Sequence, residues 1–308
     1  MFSIIPANSA IADTATQKAI FGYGDGGGAG LVGTSNLVSS SGVVASNVSG
    51  VGTSRAALAA SSYGGDKALF AYGWTGGTNY VSMKNLVSNE GVVASDVTGV
   101  GTARRYLAGA SFGGDQAIFG YGYNESYLSL TNIVNNSGVV GSDVSGVGQT
   151  RFALAATGYG DDKAIFAYGD GGGAGLVGTS NLVNNSGVVA SNVTGVGTSR
   201  AGLAAAGYGG DKALFAYGWT GGSNYVSMKN LVSNSGVIAS DVSGVGTARR
   251  YLAAAGYGGD KAIFGYGYNE SYQSLTNLIS NEGVVASDVT GVGQTRFNLA
   301  AAGFSLSA

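Results

Sequence analysis

The chain has 308 residues, of which 57 are glycine and one is proline, and its 15 basic and 17 acidic residues give a net charge of −2. This sparse, nearly balanced charge argues against nucleic acid as a partner, and no stretch approaches the roughly 18 apolar residues of a membrane-spanning helix. Because cysteine and histidine are both absent, disulfides, thiolate chemistry and the usual zinc and copper sites are excluded, and we expect no metal and no cofactor.

Residues 1–17 precede the repeated part of the chain, and we expect them to form a tail or an extra edge strand. The segment is partly apolar, but it has no positively charged start and Pro6 interrupts it, so it lacks the pattern of a signal peptide. We therefore expect a soluble, monomeric protein with the cytoplasm as its default compartment.

One motif, KAIFGYG in its first copy, recurs six times with a period of about 47 to 49 residues. Such a period indicates a propeller or a solenoid. Each copy contains a small-residue strand, a glycine turn, a strand ending in GYG or AYG, and two further predicted strands. The prediction is an all-β chain in which residues 18–308 form a single six-bladed β-propeller with four antiparallel strands per blade. The repeats begin at Lys18, Lys67, Gln116, Lys163, Lys212 and Lys261.

The two ends of the repeated part are out of phase with the blades. The chain enters at the second strand of a unit, at Lys18, and its last segment from Arg296 to Phe304 reads as a first strand without a partner. We expect the C-terminal strand to pair with the N-terminal blade, which closes the ring and leaves no open edge.

The order of arginine, small apolar strand, glycine turn and a strand ending in glycine resembles the kelch repeat, and the resemblance covers residues 18–308. It implies a propeller used for scaffolding or recognition. Kelch-like propellers that carry oxidase sites depend on histidine and cysteine, which this chain lacks.

A second repetition lies above the first, because residues 18–162 recur as residues 163–307 with mostly conservative changes. Three repeat types therefore follow one another in the order ABCABC, and we expect an approximate twofold axis. Duplication during evolution and an engineered fusion of two three-blade halves both explain this pattern, and the sequence leaves both open.

The loops after the GYG or AYG strands differ between repeat types, while the glycine turns at the other end are nearly constant. Loops that diverge on a shared scaffold are the usual carriers of function. These loops bring aromatic side chains to one face, where packing between loops is the competing interpretation. The predicted ligand-binding residues are Trp74, Tyr80, Arg105, Tyr123, Tyr127, Trp219, Tyr225, Arg250, Tyr268 and Tyr272.

An arginine precedes every first strand, and we expect these six to form a ring around the channel mouth. Because the ring recurs in every repeat type, we predict a mainly structural role through bonds to backbone carbonyls. Arg105 and Arg250 differ, since only one repeat type carries a second arginine. The six ring members are Arg55, Arg104, Arg151, Arg200, Arg249 and Arg296.

The sequence favours a non-catalytic, lectin-like scaffold that binds a glycan, an acidic polymer or a protein partner through the variable loop face. One alternative is a structural or engineered propeller without a specific ligand. A carboxylate-based hydrolase is a weaker alternative, because Glu125 and Glu270 form its only reasonable pair and the twofold would separate them too widely.

Overall fold

The computed structural model describes residues 17–305, which contain 18 β-strands arranged as six antiparallel sheets of three strands. The helical elements of this part are two short 3-10 turns, Gly27–Ala29 and Gly172–Ala174. Neither is long or apolar enough to cross a membrane.

Each sheet has a first, a middle and a third strand. The first strands are β3 (Ala59–Tyr63), β6 (Ala108–Phe112), β9 (Ala155–Tyr159), β12 (Ala204–Tyr208), β15 (Ala253–Tyr257) and β18 (Ala300–Phe304). The middle strands are β1 (Lys18–Gly22), β4 (Lys67–Trp74), β7 (Gln116–Tyr123), β10 (Lys163–Ala167), β13 (Lys212–Ala216) and β16 (Lys261–Tyr268). The third strands are β2 (Ser35–Val38), β5 (Tyr80–Val87), β8 (Tyr127–Val134), β11 (Ser180–Val183), β14 (Lys229–Val232) and β17 (Tyr272–Ile279).

We number the sheets by their middle strands, so that sheet I contains β18, β1 and β2, and sheets II to VI follow in chain order. The last strand of the chain thus pairs with the first, with Lys18 opposite Phe304 and Gly22 opposite Ala300. The strand begins at Ala300 rather than at Arg296, where the predicted segment begins, because Asn298 between them has a left-handed backbone, with φ of 53°.

The middle strands are buried on both faces, which explains their continuous apolar sequence. In β1, Ile20 and Phe21 are completely buried. Neighbouring sheets share their core, since Phe70 of sheet II packs in one cluster with Ile20 and Phe304 of sheet I. Packing between sheets therefore stabilises each sheet, because a three-stranded sheet alone buries too little surface.

The first strands of successive sheets lie side by side and carry mostly alanine, glycine and serine. They surround a cavity of about 490 Å³ that opens at the glycine-turn end, beside Lys163 and Lys212. Small side chains were predicted for these strands, and they leave room for the six strands to approach one another.

At the opposite end of these strands, a cycle of six backbone hydrogen bonds joins the sheets. Each residue of the cycle donates its N–H to the carbonyl of the equivalent residue in the preceding sheet, at 2.6–2.9 Å. The cycle closes because Asn298 of sheet I donates to Tyr251 of sheet VI. All six have a positive φ, between 51° and 62°. They are Ala57, Tyr106, Ala153, Gly202, Tyr251 and Asn298.

The fourth strand predicted for each blade is present only as isolated bridges to the third strand. In sheet I these bridges join Val44 to Val38 and Val48 to Ser35. Between them, the side chain of Asn36 donates to the carbonyl of Ala45, so a side chain replaces a bond of the regular strand ladder. This segment is thus held against the third strand, while Val43 and Val48 remain exposed.

Candidate functional site

The six arginines predicted to form a ring are completely buried, with 0 % of each residue exposed to solvent. They therefore lie between the sheets and do not line an accessible channel mouth. Each guanidinium carbon lies 4.2–4.6 Å from the ring centre of a tyrosine in the preceding sheet.

Arg104 illustrates the bonding of four of these six guanidinium groups, whereas the Nε atoms of Arg151 and Arg296 have no partner among residues 17–305. Its Nε donates to the carbonyl of Tyr121 at 2.8 Å, Nη1 to the carbonyl of Thr102 at 2.9 Å, and Nη2 to Oδ1 of Asn132 at 2.8 Å. Burial lowers the pKa of Arg104, and the nearby Tyr72 ring and Asp143 oppose that shift. Two of these three bonds go to backbone carbonyls, and the structural role of the ring stays a prediction.

Tyr72, on which Arg104 stacks, sits where the register between β4 and β5 shifts, and its φ is 63°. A left-handed backbone at tyrosine costs about 1–2 kcal/mol, so contacts of the side chain must stabilise this conformation. The stacked guanidinium and a bond from the Tyr72 hydroxyl to the carbonyl of Val100 do so. The five equivalent tyrosines have the same backbone conformation: Tyr23, Tyr121, Tyr168, Tyr217 and Tyr266.

The second arginine of the ARRY segment lies in a different environment, at the variable loop face. The guanidinium carbon of Arg105 lies 5.4 Å from the ring centre of Trp74, 5.5 Å from Tyr80, 5.2 Å from Tyr106 and 5.6 Å from Tyr123. Four aromatic rings thus surround one cation, in the range where cation–π attraction is significant. We call this arrangement the arginine cage.

The same cage recurs in the second half of the chain. Arg250 lies 5.1 Å from Trp219, 5.5 Å from Tyr225, 4.9 Å from Tyr251 and 5.8 Å from Tyr268. The repeat of the sequence is therefore also a repeat of the site.

The caged guanidinium groups have no polar partner in the part of the chain that the structure describes. Within residues 17–305, neither Arg105 nor Arg250 makes a side-chain hydrogen bond or an ion pair. The Nε atom of each is sealed from solvent without a partner, whereas Nη1 and Nη2 are not sealed. Because a guanidinium carries five donors in a planar fork, each cage presents unused donors in the geometry that a carboxylate or a phosphate accepts in pairs.

Each cage forms between two sheets rather than within one. Trp74 ends β4 and Tyr80 begins β5, both in sheet II, whereas Arg105 precedes β6 and Tyr123 ends β7, both in sheet III. Arg105 is fixed there by paired backbone bonds with Tyr123, at 2.9 and 3.0 Å. The position of the cage thus depends on how adjacent sheets pack.

The loops hold the aromatic side chains in place. The indole Nε1 of Trp74 donates to the carbonyl of Gly77 at 2.7 Å, and that of Trp219 to Gly222 at 2.6 Å. Neither indole N–H is therefore free for a ligand. The rings can contribute their faces, while the arginine contributes the polar contact.

Tyr127 and its copy Tyr272 are the most exposed of the predicted site residues, each with 39 % of its surface accessible. The Tyr127 ring lies against Gly172 of the DGGGAG loop, where a β-carbon would collide with it and where φ is 66°. The glycine-rich loop of one repeat type thus provides the surface on which the tyrosine of another rests. All three loop types contribute to each half of the face.

Four aromatic residues of this face were missed in the sequence: Tyr106, Phe152, Tyr251 and Phe297. Phe152 lies 5.7 Å from Tyr106 and 5.5 Å from Tyr127, and Phe297 lies 5.3 Å from Tyr272. The sequence did contain a pattern that indicates these residues, because an aromatic residue follows the arginine or arginine pair in only two of the three repeat types.

Tyr106 and Tyr251 join the two cages. Their ring centres are 5.6 Å apart, and Nδ2 of Asn298 donates to the Tyr106 hydroxyl at 3.3 Å. Burial raises the pKa of Tyr251 to about 12, an effect to which Tyr106 adds and which Arg250 opposes. Both phenols are therefore neutral at physiological pH, and the positive charge of the cages is not cancelled from within.

The acidic residues do not form a second kind of site in the part of the chain described. Glu125 and Glu270 are exposed at the tips of separate hairpins. Asp25 accepts a local hydrogen bond from the N–H of Gly27 at 2.8 Å. No group of three or more acidic side chains among residues 17–305 is arranged to hold a metal ion.

No protein-family model matches this chain, and no curated protein matches it.

Proposed function

We propose that this chain is a non-catalytic scaffold that binds an anionic ligand at two equivalent sites on one face. The architecture proposed is a closed, six-bladed propeller of the kelch-like kind, in which an irregular fourth segment covers the third strand of each blade. The ligand carries a carboxylate beside an apolar ring face, as an acidic sugar does.

One observation carries this proposal: the guanidinium groups of Arg105 and Arg250 are surrounded by aromatic rings and have no hydrogen-bond partner between residues 17 and 305. Arginine used for structure is normally paired, because an unpaired buried donor costs about 1–3 kcal/mol. A bound carboxylate supplies the missing acceptors, and the neighbouring rings supply an apolar surface for a sugar ring.

Each caged arginine is partly exposed and offers one guanidinium group, so we expect weak binding of a single sugar. Stacking on one or two rings and one charge-assisted pair contribute together about 2–4 kcal/mol, which corresponds to a Kd of about 1 mM or weaker. Useful affinity then comes from occupying both sites.

The two tryptophans of the chain provide a direct test, because each belongs to one cage. Titration with glucuronate should change the tryptophan emission with a millimolar midpoint. Glucose, which lacks the carboxylate, and acetate, which lacks the ring, should each act more weakly. In Trp219→Phe the remaining signal comes from Trp74 and should keep the same midpoint.

The double variant Arg105→Met with Arg250→Met should lose the response to glucuronate. The double variant Lys212→Met with Lys261→Met is a matched control, since it removes two exposed positive charges at the other end of the first strands. Unchanged emission with all three probes, up to the solubility of each, would instead favour a propeller that is structural or engineered and has no ligand at this face.

A further inference from the structure

The two cages are close enough to belong to one binding surface. The Arg105 guanidinium lies 5.2 Å from the Tyr106 ring, the Tyr106 and Tyr251 rings lie 5.6 Å apart, and Tyr251 lies 4.9 Å from the Arg250 guanidinium. These successive separations limit the distance between the two guanidinium carbons to about 16 Å.

The surface between the cages is aromatic and continuous. The ring centres of Tyr123 and Phe152 are 5.9 Å apart, and those of Phe152 and Tyr106 are 5.7 Å apart. The ring centres of Tyr106 and Tyr251 are 5.6 Å apart. From Tyr251 the ring contacts continue to Phe297 at 6.2 Å, and from Phe297 to Tyr268 at 5.7 Å. A ligand that spans the two arginines therefore passes over a row of partly exposed aromatic rings.

We propose that one linear acidic oligosaccharide bridges both cages, with a carboxylate on each arginine and its sugar rings across the aromatic band between them. This inference rests on the proposed function and specifies its ligand as a chain rather than a single unit. Because the second carboxylate binds within the same complex, its effective concentration is high and the affinity increases without any new contact.

Free hydroxyl groups on the protein favour a sugar chain over an acidic peptide. The phenol hydroxyls of Tyr80, Tyr123 and Tyr127 have no protein partner among the described residues and can exchange hydrogen bonds with sugar hydroxyls. The rings also come from strand ends and loops, so the face does not present the exposed sheet edge that pairs with an extended peptide.

The test uses galacturonate oligomers of one to six units, measured by titration calorimetry on the full chain. The monomer should bind with a stoichiometry of two. Above a threshold length the stoichiometry should fall to one, with an affinity at least tenfold higher than that of the monomer. Sedimentation should give the mass of one chain for the complex, because a ligand that cross-links two copies would also lower the stoichiometry.

Arg250→Met separates bridging from simple chain length. In this variant the monomer should bind once, and the affinity for the longest oligomer should fall to within a few-fold of the monomer value. Lys212→Met, which also removes one positive charge, should keep the gain.

The outcomes distinguish the two levels of the proposal. If the hexamer binds twice, with the affinity of the monomer, the bridge is wrong while the two-site function stands. Binding of a glutamate oligomer as tightly as the sugar chain would overturn the assignment of ligand class. If neither monomer nor oligomer binds, the proposed function itself fails.

Discussion

Arg104 and Arg105 are adjacent in the sequence and differ in almost every respect in the structure. Arg104 is completely buried, stacks on one tyrosine and donates three hydrogen bonds to protein acceptors. Arg105 is partly exposed and lies among four rings, and its side chain donates no hydrogen bond to any residue of the described part of the chain.

The difference separates an arginine that holds the fold from one that is available to a ligand. The arginine at position 104 recurs in all six units, and so do the tyrosine on which it stacks and the asparagine that accepts from its Nη2. The residue at position 105 recurs only at position 250, together with its own set of rings. In a repeat protein, we therefore expect a structural role for an arginine that recurs in every unit, and we propose binding for one that recurs in a single repeat type without any side-chain hydrogen bond.

Removing the last inner strand should have the largest effect, because both kinds of arginine depend on packing between neighbouring sheets. Deletion of residues 297–308 removes β18, which pairs with β1, and breaks the hydrogen-bond cycle at Asn298. We expect loss of cooperative thermal unfolding, measured by circular dichroism, together with loss of solubility. A chain lacking only residues 306–308 keeps β18 and serves as the control. A chain lacking residues 297–308 that melts like the parent would contradict the closed architecture.

Arg104→Met should have the next largest effect. The substitution leaves the acceptors on Tyr121, Thr102 and Asn132 without their donor, and breaking a buried charged network typically costs about 3–5 kcal/mol. Urea denaturation of the variant and the parent measures the difference in the free energy of unfolding.

Arg151→Ala calibrates this result. The Nε of Arg151 is already without a partner, so it has fewer bonds to lose than Arg104, and we expect about 1–3 kcal/mol. Equal losses at the two positions would show that the hydrogen bonds do not determine the stability of the ring.

The repeat, the order of the strands, the small inner residues and the pairing of the C-terminal strand were predictable, since each follows from local composition and from the phase of the units. The contact between the rings of Tyr106 and Tyr251 was not predictable. These residues lie 145 positions apart, as the sequence numbering shows, and their contact depends on how closely six sheets approach an axis. A local sequence pattern does not predict a contact between residues so far apart in the chain.

The fourth strand is the opposite case: the local pattern favours a strand, and the structure has isolated bridges at this position. The alternating VVASNV segment resembles a strand, but Asn36 donates to the carbonyl of Ala45 and to Oδ1 of Asn47. A buried asparagine required by Arg296 thus also shapes the segment next to it. Side-chain bonds of this kind cannot be recognised before the neighbours of the asparagine are known.

Acid should weaken the buried arginine network selectively. Burial alone would raise the pKa of Asp143, but bonds from Thr102 and Asn132 and the charge of Arg104 outweigh it, so the pKa lies below its usual value. A lowered carboxyl pKa stabilises the fold above the unfolded value of about 3.9, and this contribution is lost as pH falls further. Asp96, Asp241 and Asp288 have lowered pKa values for the same reasons.

The chain contains its own control for this effect. Asn47 and Asn192 occupy the equivalent positions in the two repeats where glutamine replaces the threonine donor, and they do not titrate. Asp143→Asn should therefore cost less than about 1 kcal/mol at pH 7 and reduce the loss of stability between pH 4 and pH 2, measured by urea denaturation. An unchanged acid dependence in the variant with all four aspartates replaced would contradict this assignment.

Arg105→Met should have the smallest effect on stability, although it removes a charge one residue from Arg104. The guanidinium is partly desolvated and gains no hydrogen bond in return, whereas methionine keeps the contact with the four rings and interacts favourably with aromatic edges. We expect a change within about 1 kcal/mol of the parent in urea denaturation, and a small gain fits a site that trades stability for binding. A loss as large as that of Arg104→Met would show that the cage holds the sheets together, and the unpaired donors would then need a structural explanation instead of a ligand.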